Sequence, residues 1–292
     1  MSALPVWFHE LVVAPAVLVV AVVHAGRALG ARRAAGELLV LALYGYALEA
    51  VAIRVFSSHT YGAAWALAPL GVPLAVAMVW AAIIASAMAL AGRMGRHSPP
   101  ARAGLAALIA VSLDLLMEPV AVRVGLWRWT PPGPWLGVPI GNFVGWAVIV
   151  AGYAFGADRF AGDGPAFRET LRRMAVAAVS VLGLVLVGLA WRELRAESLF
   201  LGSRGWIAWA AVLAATAATV RRPAPGEQGL AGPGLGARLA RSRGRGPQAV
   251  FLGLAAVFAA DAAALGDPRL WLVALGAAAV LLWVSGRASS GS

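Results

Sequence analysis

A chain of 292 residues that is 61% hydrophobic and only 13% charged is not a soluble domain, where about a quarter of residues carry charge. Its net charge of +11 comes from arginine alone, and no nucleic acid is needed to explain it, because arginines in cytoplasmic loops set topology and meet anionic lipid. The absence of cysteine excludes disulfides, thiolate metal sites and a cysteine nucleophile.

The apolar runs recur along the whole chain. They predict an all-α fold, a polytopic transmembrane helical bundle of about 7–9 spans, since a crossing helix needs about 20 apolar residues. Spans are expected near 7–26, 37–56, 70–92, 103–125, 138–157, 174–191 and 205–220, with two shorter ones near 249–265 and 269–286. The first run has no positive region before it, and its first arginine is Arg27. It therefore reads as a membrane helix with its N-terminus outside, not as a cleaved signal. With that orientation 17 of the 24 arginines fall in cytoplasmic connections, and the expected location is the cell membrane. Residues 221–248 are rich in Gly, Pro and Arg and are expected to form a flexible basic cytoplasmic loop that meets anionic lipid. Gly232, Gly234 and Gly236 imitate a nucleotide loop, but no strand precedes them. The chain thus divides into a membrane domain over 1–220, the loop over 221–248, and a C-terminal membrane hairpin and tail over 249–292.

The first half contains a repeat. Glu49 to Val55 matches Glu118 to Val124 at five of seven positions, and Leu70-Gly-Val-Pro73 matches Leu136-Gly-Val-Pro139. A tryptophan follows each proline by seven residues, Trp80 and Trp146. Each unit (37–92 and 103–157) is a helix, an outer loop and a second helix. Two spans separate equivalent positions, so the units run parallel, with a pseudo-twofold axis along the membrane normal and the cavity between them. In each unit the Glu precedes an Arg (Arg54, Arg123) by one to two turns, which suggests an ion pair within or between the units. Asp114 aligns with Gly45 and Asn142 with Val76, so these polar residues belong to the second unit alone.

The stretch from Asp114 to Trp146 carries the chemistry. Asp114 and Glu118 fall on one face of an apolar helix, where a carboxylate costs about 2.5–3.5 kcal/mol on insertion scales. A pair of acids holding helices together is the plainer reading. Two neighbouring carboxyls do not both ionise readily, so one is expected to keep its proton. Pro119 frees the carbonyl of Leu115, which could hold a water or a proton. Trp127, Trp129 and Trp135 form either an interfacial belt or an aromatic wall for a cationic intermediate. His9, His24, His59 and His97 are scattered, which disfavours a di-iron oxidase. No nucleophile elbow, phosphate loop or DxxxD motif appears. What remains is carboxylate acid–base chemistry in an apolar, Trp-lined cavity with no cofactor and no metal.

Asp114-x-x-x-Glu118-Pro119-Val-Ala, then Gly125-Leu-Trp127-x-Trp129, then Leu136-Gly-Val-Pro139-Ile-Gly-Asn142-Phe143-Val-Gly145-Trp146, resembles the signature of the membrane carotenoid biosynthesis proteins that include the carotenoid 1′,2′-hydratases. The match is dense over 114–146 and looser over 37–80, and Ser57-Ser58-His59 departs from the Gly- and Tyr-rich pattern of the family. The resemblance implies a lipophilic carotenoid substrate. It implies acid-catalysed hydration of a terminal (1′,2′) double bond through a tertiary carbocation, and it leaves room for association with other carotenoid enzymes. On this reading Asp114 donates the proton, Glu118 is its partner and Asn142 positions water. Trp127, Trp129, Trp146, Glu49, Trp80 and Phe143 bind the substrate. An end-group cyclase or isomerase using the same acid, and a transporter or lipid-binding protein, stay open as alternatives.

Overall fold

The computed structural model describes residues 3–94, 98–162, 164–201, 214, 234–242 and 244–290. The span expected near 205–220 lies outside these residues but for Ala214, as does His97. Eight of the described helices are long and apolar enough to cross a membrane. They are α1 (Val6–Leu29), α2 (Ala31–Arg54), α3 (Leu74–Arg93), α4 (Pro99–Val124), α5 (Ile140–Arg159), α6 (Ala166–Glu193), α9 (Gly246–Leu265) and α10 (Pro268–Ser290). Among the described residues, two short helices, α7 (Ala196–Leu201) and α8 (Leu235–Ala240), stand between α6 and α9. The protein is an all-α, polytopic membrane bundle.

Local sequence sets the helix ends. Pro99 and Pro100 open α4, where a missing N–H costs nothing. Gly125, at φ +80°, closes it in the left-handed conformation that glycine adopts without strain. Helices α3 and α4 hold the centre of the bundle: about three quarters of each lies buried, while α6 turns almost its whole length outward.

The two Leu-Gly-Val-Pro segments share one backbone shape. Leu70 and Leu136 sit at φ 54° and 51°, Gly71 and Gly137 at 83° and 99°, and Pro73 and Pro139 then cap α3 and α5 in extended conformation. The segment between α2 and α3 meets the one between α4 and α5 as a two-stranded antiparallel ribbon, β1 (His59–Tyr61) and β2 (Trp127–Trp129). His59 pairs with Trp129, Thr60 with Arg128 and Tyr61 with Trp127. By strand alternation the four aromatic rings share one face and Thr60 and Arg128 the other. The first four are buried or half-buried, and the last two are exposed.

The opposite end of the bundle is tied by charge. Arg173 is almost wholly buried, and reaches Glu37 at 3.3 Å, Glu169 at 2.5 Å and the carbonyl of Ala157 at 2.6 Å. Tyr153 completes the set by donating to Glu37 at 2.6 Å. These bonds fix α6 against α2 and α5, and a buried ion pair needs such a full set of partners.

Of the flexible loop expected over 221–248, residues 221–233 lie outside the described residues, while helix covers Leu235–Ala240 and begins again at Gly246. Helix α8 buries Leu235 and Leu239 against α1, α3 and α5. The Gly236 N–H donates to Asp158 at 2.8 Å, and Arg93 donates to the carbonyls of Ser242 and Gly244. Glycine here serves close approach: a Cβ on Gly92 would meet the carbonyl of Gly236. The C-terminal pair α9 and α10 packs on α4 as well as on itself, so it is part of the same bundle.

Candidate active site

The β1–β2 ribbon helps line a cavity of about 410 Å³ that α1 to α6 and α9 also border, within the size range of pockets that take small organic ligands. Its wall is largely apolar. Glu49 comes from α2, Trp80 from α3, Glu118 from α4, and Asn142 and Trp146 from α5. His59, Tyr61, Trp127 and Trp129 come down from the ribbon. Of the residues expected to bind substrate, Trp127, Trp129, Trp146, Glu49 and Trp80 line this space. Phe143 lies outside the lining and sets its ring edge-on to Trp135, 6.5 Å between centroids.

Three carboxyls stand in the wall, Glu49, Glu118 and Glu197, and each is held by different groups. Glu118 Oε2 accepts from the indole N–H of Trp127 at 2.8 Å and of Trp129 at 2.9 Å. Two donors use both lone pairs of that oxygen, so the proton of the acid form sits on Oε1. Among the described residues Oε1 takes no hydrogen bond, and Glu118 lines the cavity. Glu49 Oε1 accepts from Trp80 at 2.7 Å, and its Oε2 lies 3.1 Å from His59 Nε2. The ribbon explains this arrangement. Its period of two aims four polar-tipped aromatics at two acids one layer below.

Asp114 is fully buried one turn before Glu118 and does not line the cavity. Asn142 stands between: it lines the cavity and donates through Nδ2 to Asp114 Oδ2 at 3.0 Å. Asp114 Oδ1 has no partner among the described residues. The sequence therefore brings Asp114, Glu118 and Asn142 into one cluster, with only the last two at the cavity surface.

Three local expectations come out differently. Arg123 pairs with Asp267 at 2.6 Å and Glu118 with the tryptophans, so the expected Glu–Arg ion pair is replaced. A spacing of five residues sets Arg123 about 140° round the helix from Glu118, toward the outside. The carbonyl of Leu115 that Pro119 releases accepts from the Trp135 indole at 3.3 Å. His59, one of four scattered histidines by sequence, reaches the site only because β1 pairs with β2.

Further residues lie in or beside the wall: His9 and Glu197 line the cavity, and Glu10 and Asp261 stand outside the lining. Glu10 sits in a π-helical stretch of α1, His9–Val13, and accepts the N–H groups of Ala66 and Leu67 at 2.9 and 2.7 Å, which anchors the segment between α2 and α3. His9 lies 3.1 Å from Asp261. Glu197 accepts the free N–H groups of Ile140 and Gly141 at the start of α5, where a negative charge complements the helix dipole.

His59 and Tyr61 lie outside the spans. Burial opposes a charged imidazole, but the hydrogen bond and charge of Glu49, with the charge of Glu118, outweigh it, and the His59 pKa is raised. Burial and then Glu49 raise that of Tyr61 well above its ordinary value, so its phenol stays protonated.

Residues 8–202 match the family model described as carotenoid biosynthesis protein. The chain is 31% identical over 139 residues to the bisanhydrobacterioruberin hydratase of Haloarcula japonica, covering 44% of this chain and 47% of that protein. The match thus spans about half the length of the curated relative. No solved structure matches the chain.

Proposed function

Because the chain belongs to the carotenoid biosynthesis protein family, we propose that it hydrates the terminal (1′,2′) double bond of an acyclic carotenoid end group. One observation carries this reading: Glu118 offers a single unencumbered oxygen, Oε1, to an apolar cavity walled by tryptophan. The hydratase named among its relatives is consistent with it.

An isolated trisubstituted alkene needs a strong, well-aimed acid. Glu118 Oε1–H gives its proton to the less substituted carbon. The other carbon becomes a tertiary cation, which the faces of Trp80, Trp127, Trp129 and Trp146 stabilise. Water then forms the C–O bond and gives up a proton. We place the donor at Glu118 rather than Asp114, because Glu118 is the one of the two that reaches the cavity. Asp114 acts from behind through Asn142, which orients the water. The shared shape of the Leu-Gly-Val-Pro segments supports reading the two units as copies, with the cavity on their pseudo-twofold axis. We place the N-terminus outside and the arginine-rich end against the anionic cytoplasmic leaflet of the cell membrane.

Expressing the gene in cells that accumulate lycopene and weighing the pigments tests the reading. A product heavier by one water is expected. A product of unchanged mass would mean that the cation loses a proton instead, as in a cyclase or isomerase. Unaltered pigment would favour a transporter or lipid-binding protein.

A further inference from the structure

We propose that Glu49 and His59 form the second proton-handling unit of this reaction, the base that takes the proton from the attacking water; the proposal rests on the hydratase reading above.

Hydrogen positions around His59 follow from counting. Ser58 has one hydroxyl hydrogen, which it donates to the carbonyl of Ala52 at 2.9 Å. Its oxygen can then only accept from the imidazole, so His59 Nδ1, 2.9 Å away, carries a hydrogen. The other ring nitrogen, Nε2, faces Glu49 Oε2 at 3.1 Å. Two bare acceptors would repel there, so a proton lies between them. The pair therefore holds one proton and no net charge, as imidazolium with carboxylate or as imidazole with carboxylic acid. Glu118 is different in kind: its partners are indoles, which neither take nor supply a proton.

The pair is also placed for the task. Glu49 and His59 both line the cavity that Glu118 faces. Trp80 fixes Glu49 Oε1 through its indole N–H, the Tyr61 phenol also hydrogen-bonds Glu49, and Glu49 Oε2 faces the histidine. His59 is held across the ribbon from Trp129, one of the two donors to Glu118, with ring centroids 4.8 Å apart.

The steps balance. The Glu118 O–H bond breaks and a C–H bond forms, which leaves a carboxylate and a tertiary cation. A lone pair of water forms the C–O bond, and the protonated alcohol gives its extra proton to the Glu49 carboxylate while the imidazolium keeps its own. The pair is then cationic opposite anionic Glu118. A proton passed back through water restores both. If Glu118 alone took up protons, it would stand beside the carbon it had just protonated, where removing a proton returns an alkene. A separate base keeps water capture apart from that reversal.

Isotope exchange separates the two roles. The full chain in detergent is given an acyclic carotenoid in D2O, and both hydrated product and deuterium in the recovered alkene are measured. In Glu49→Gln the amide oxygen still accepts from Trp80, but the group takes no proton. Hydration is expected to fall about 100-fold or more, while deuterium still enters the recovered alkene, because protonation at Glu118 and its reversal persist. His59→Gln should behave alike, and it covers the case in which Glu49→Gln does not fold. Glu118→Gln should lose both signals. Hydration at the wild-type rate in either folded variant overturns the proposal. So does loss of exchange together with hydration in both, with carotenoid binding retained by visible absorption. A wild-type protein that yields no hydrate overturns the hydratase reading itself.

Discussion

Trp80 lies against Trp146 in the cavity wall, with ring centroids 4.1 Å apart and planes inclined by 31°. Each follows its Leu-Gly-Val-Pro segment by seven residues, so the same motif in two units delivers the two halves of one contact. Such a pair contributes about 0.5–1.5 kcal/mol beyond its buried area. Trp80→Phe keeps a stacked ring but loses the N–H that holds Glu49. It should lower the unfolding midpoint in detergent only slightly and the rate of product formation about tenfold, as expected for a lost charge-assisted hydrogen bond. Trp146→Leu should lower both.

Glu118 Oε2 depends on two donors from one strand. Trp127→Phe and Trp129→Phe each leave one indole in place. Each single change should cost about tenfold in initial rate. The double change should cost more than the product of the two if the remaining indole compensates in each single variant, and initial rates on all four proteins would show it.

Gly45 stands where the second unit has Asp114. A Cβ at Gly45 would collide with the Cβ of Trp80, so the first unit has no room for an acid there. Gly45→Ala should destabilise by about 1–3 kcal/mol through overpacking, measured as a lower unfolding midpoint. A neutral result would mean that α2 and α3 can part without cost.

The His59–Glu49 pair sets a pH dependence. The pKa of His59 is raised in the folded protein despite burial, through Glu49 on α2 and Glu118 on α4. The stability it adds is therefore complete below the unfolded imidazole value of about 6.5 and is lost as pH rises through the higher folded value. Tyr61 does not titrate in this window, since its pKa is raised. The unfolding midpoint should fall on the alkaline side of about pH 6.5, and His59→Gln should flatten that slope.

The bundle was legible because apolar runs of span length are a strong signal, and most boundaries fell within a turn or two. Asp114, Glu118 and Asn142 were legible as a cluster because helical spacing and the second-unit polar residues point to one place. Their order of access was not. Which carboxyl faces the cavity depends on how α4 is rotated against α5, and an i, i+4 spacing does not fix that. His59 was missed for another reason. Nothing in a three-residue strand announces its partner, and the partner lies 70 residues away in the other unit. The glycines near 234–246 misled because the same residue serves a flexible loop and a close helix contact alike.

The most direct test of the account is the isotope content of product made by purified wild type and Glu118→Gln in D2O. The account predicts that wild type adds one water and places at least one deuterium on the carbon beside the new alcohol. It predicts that Glu118→Gln forms hydrate at least about 100-fold more slowly. Hydrate formed at an undiminished rate by folded Glu118→Gln would contradict it.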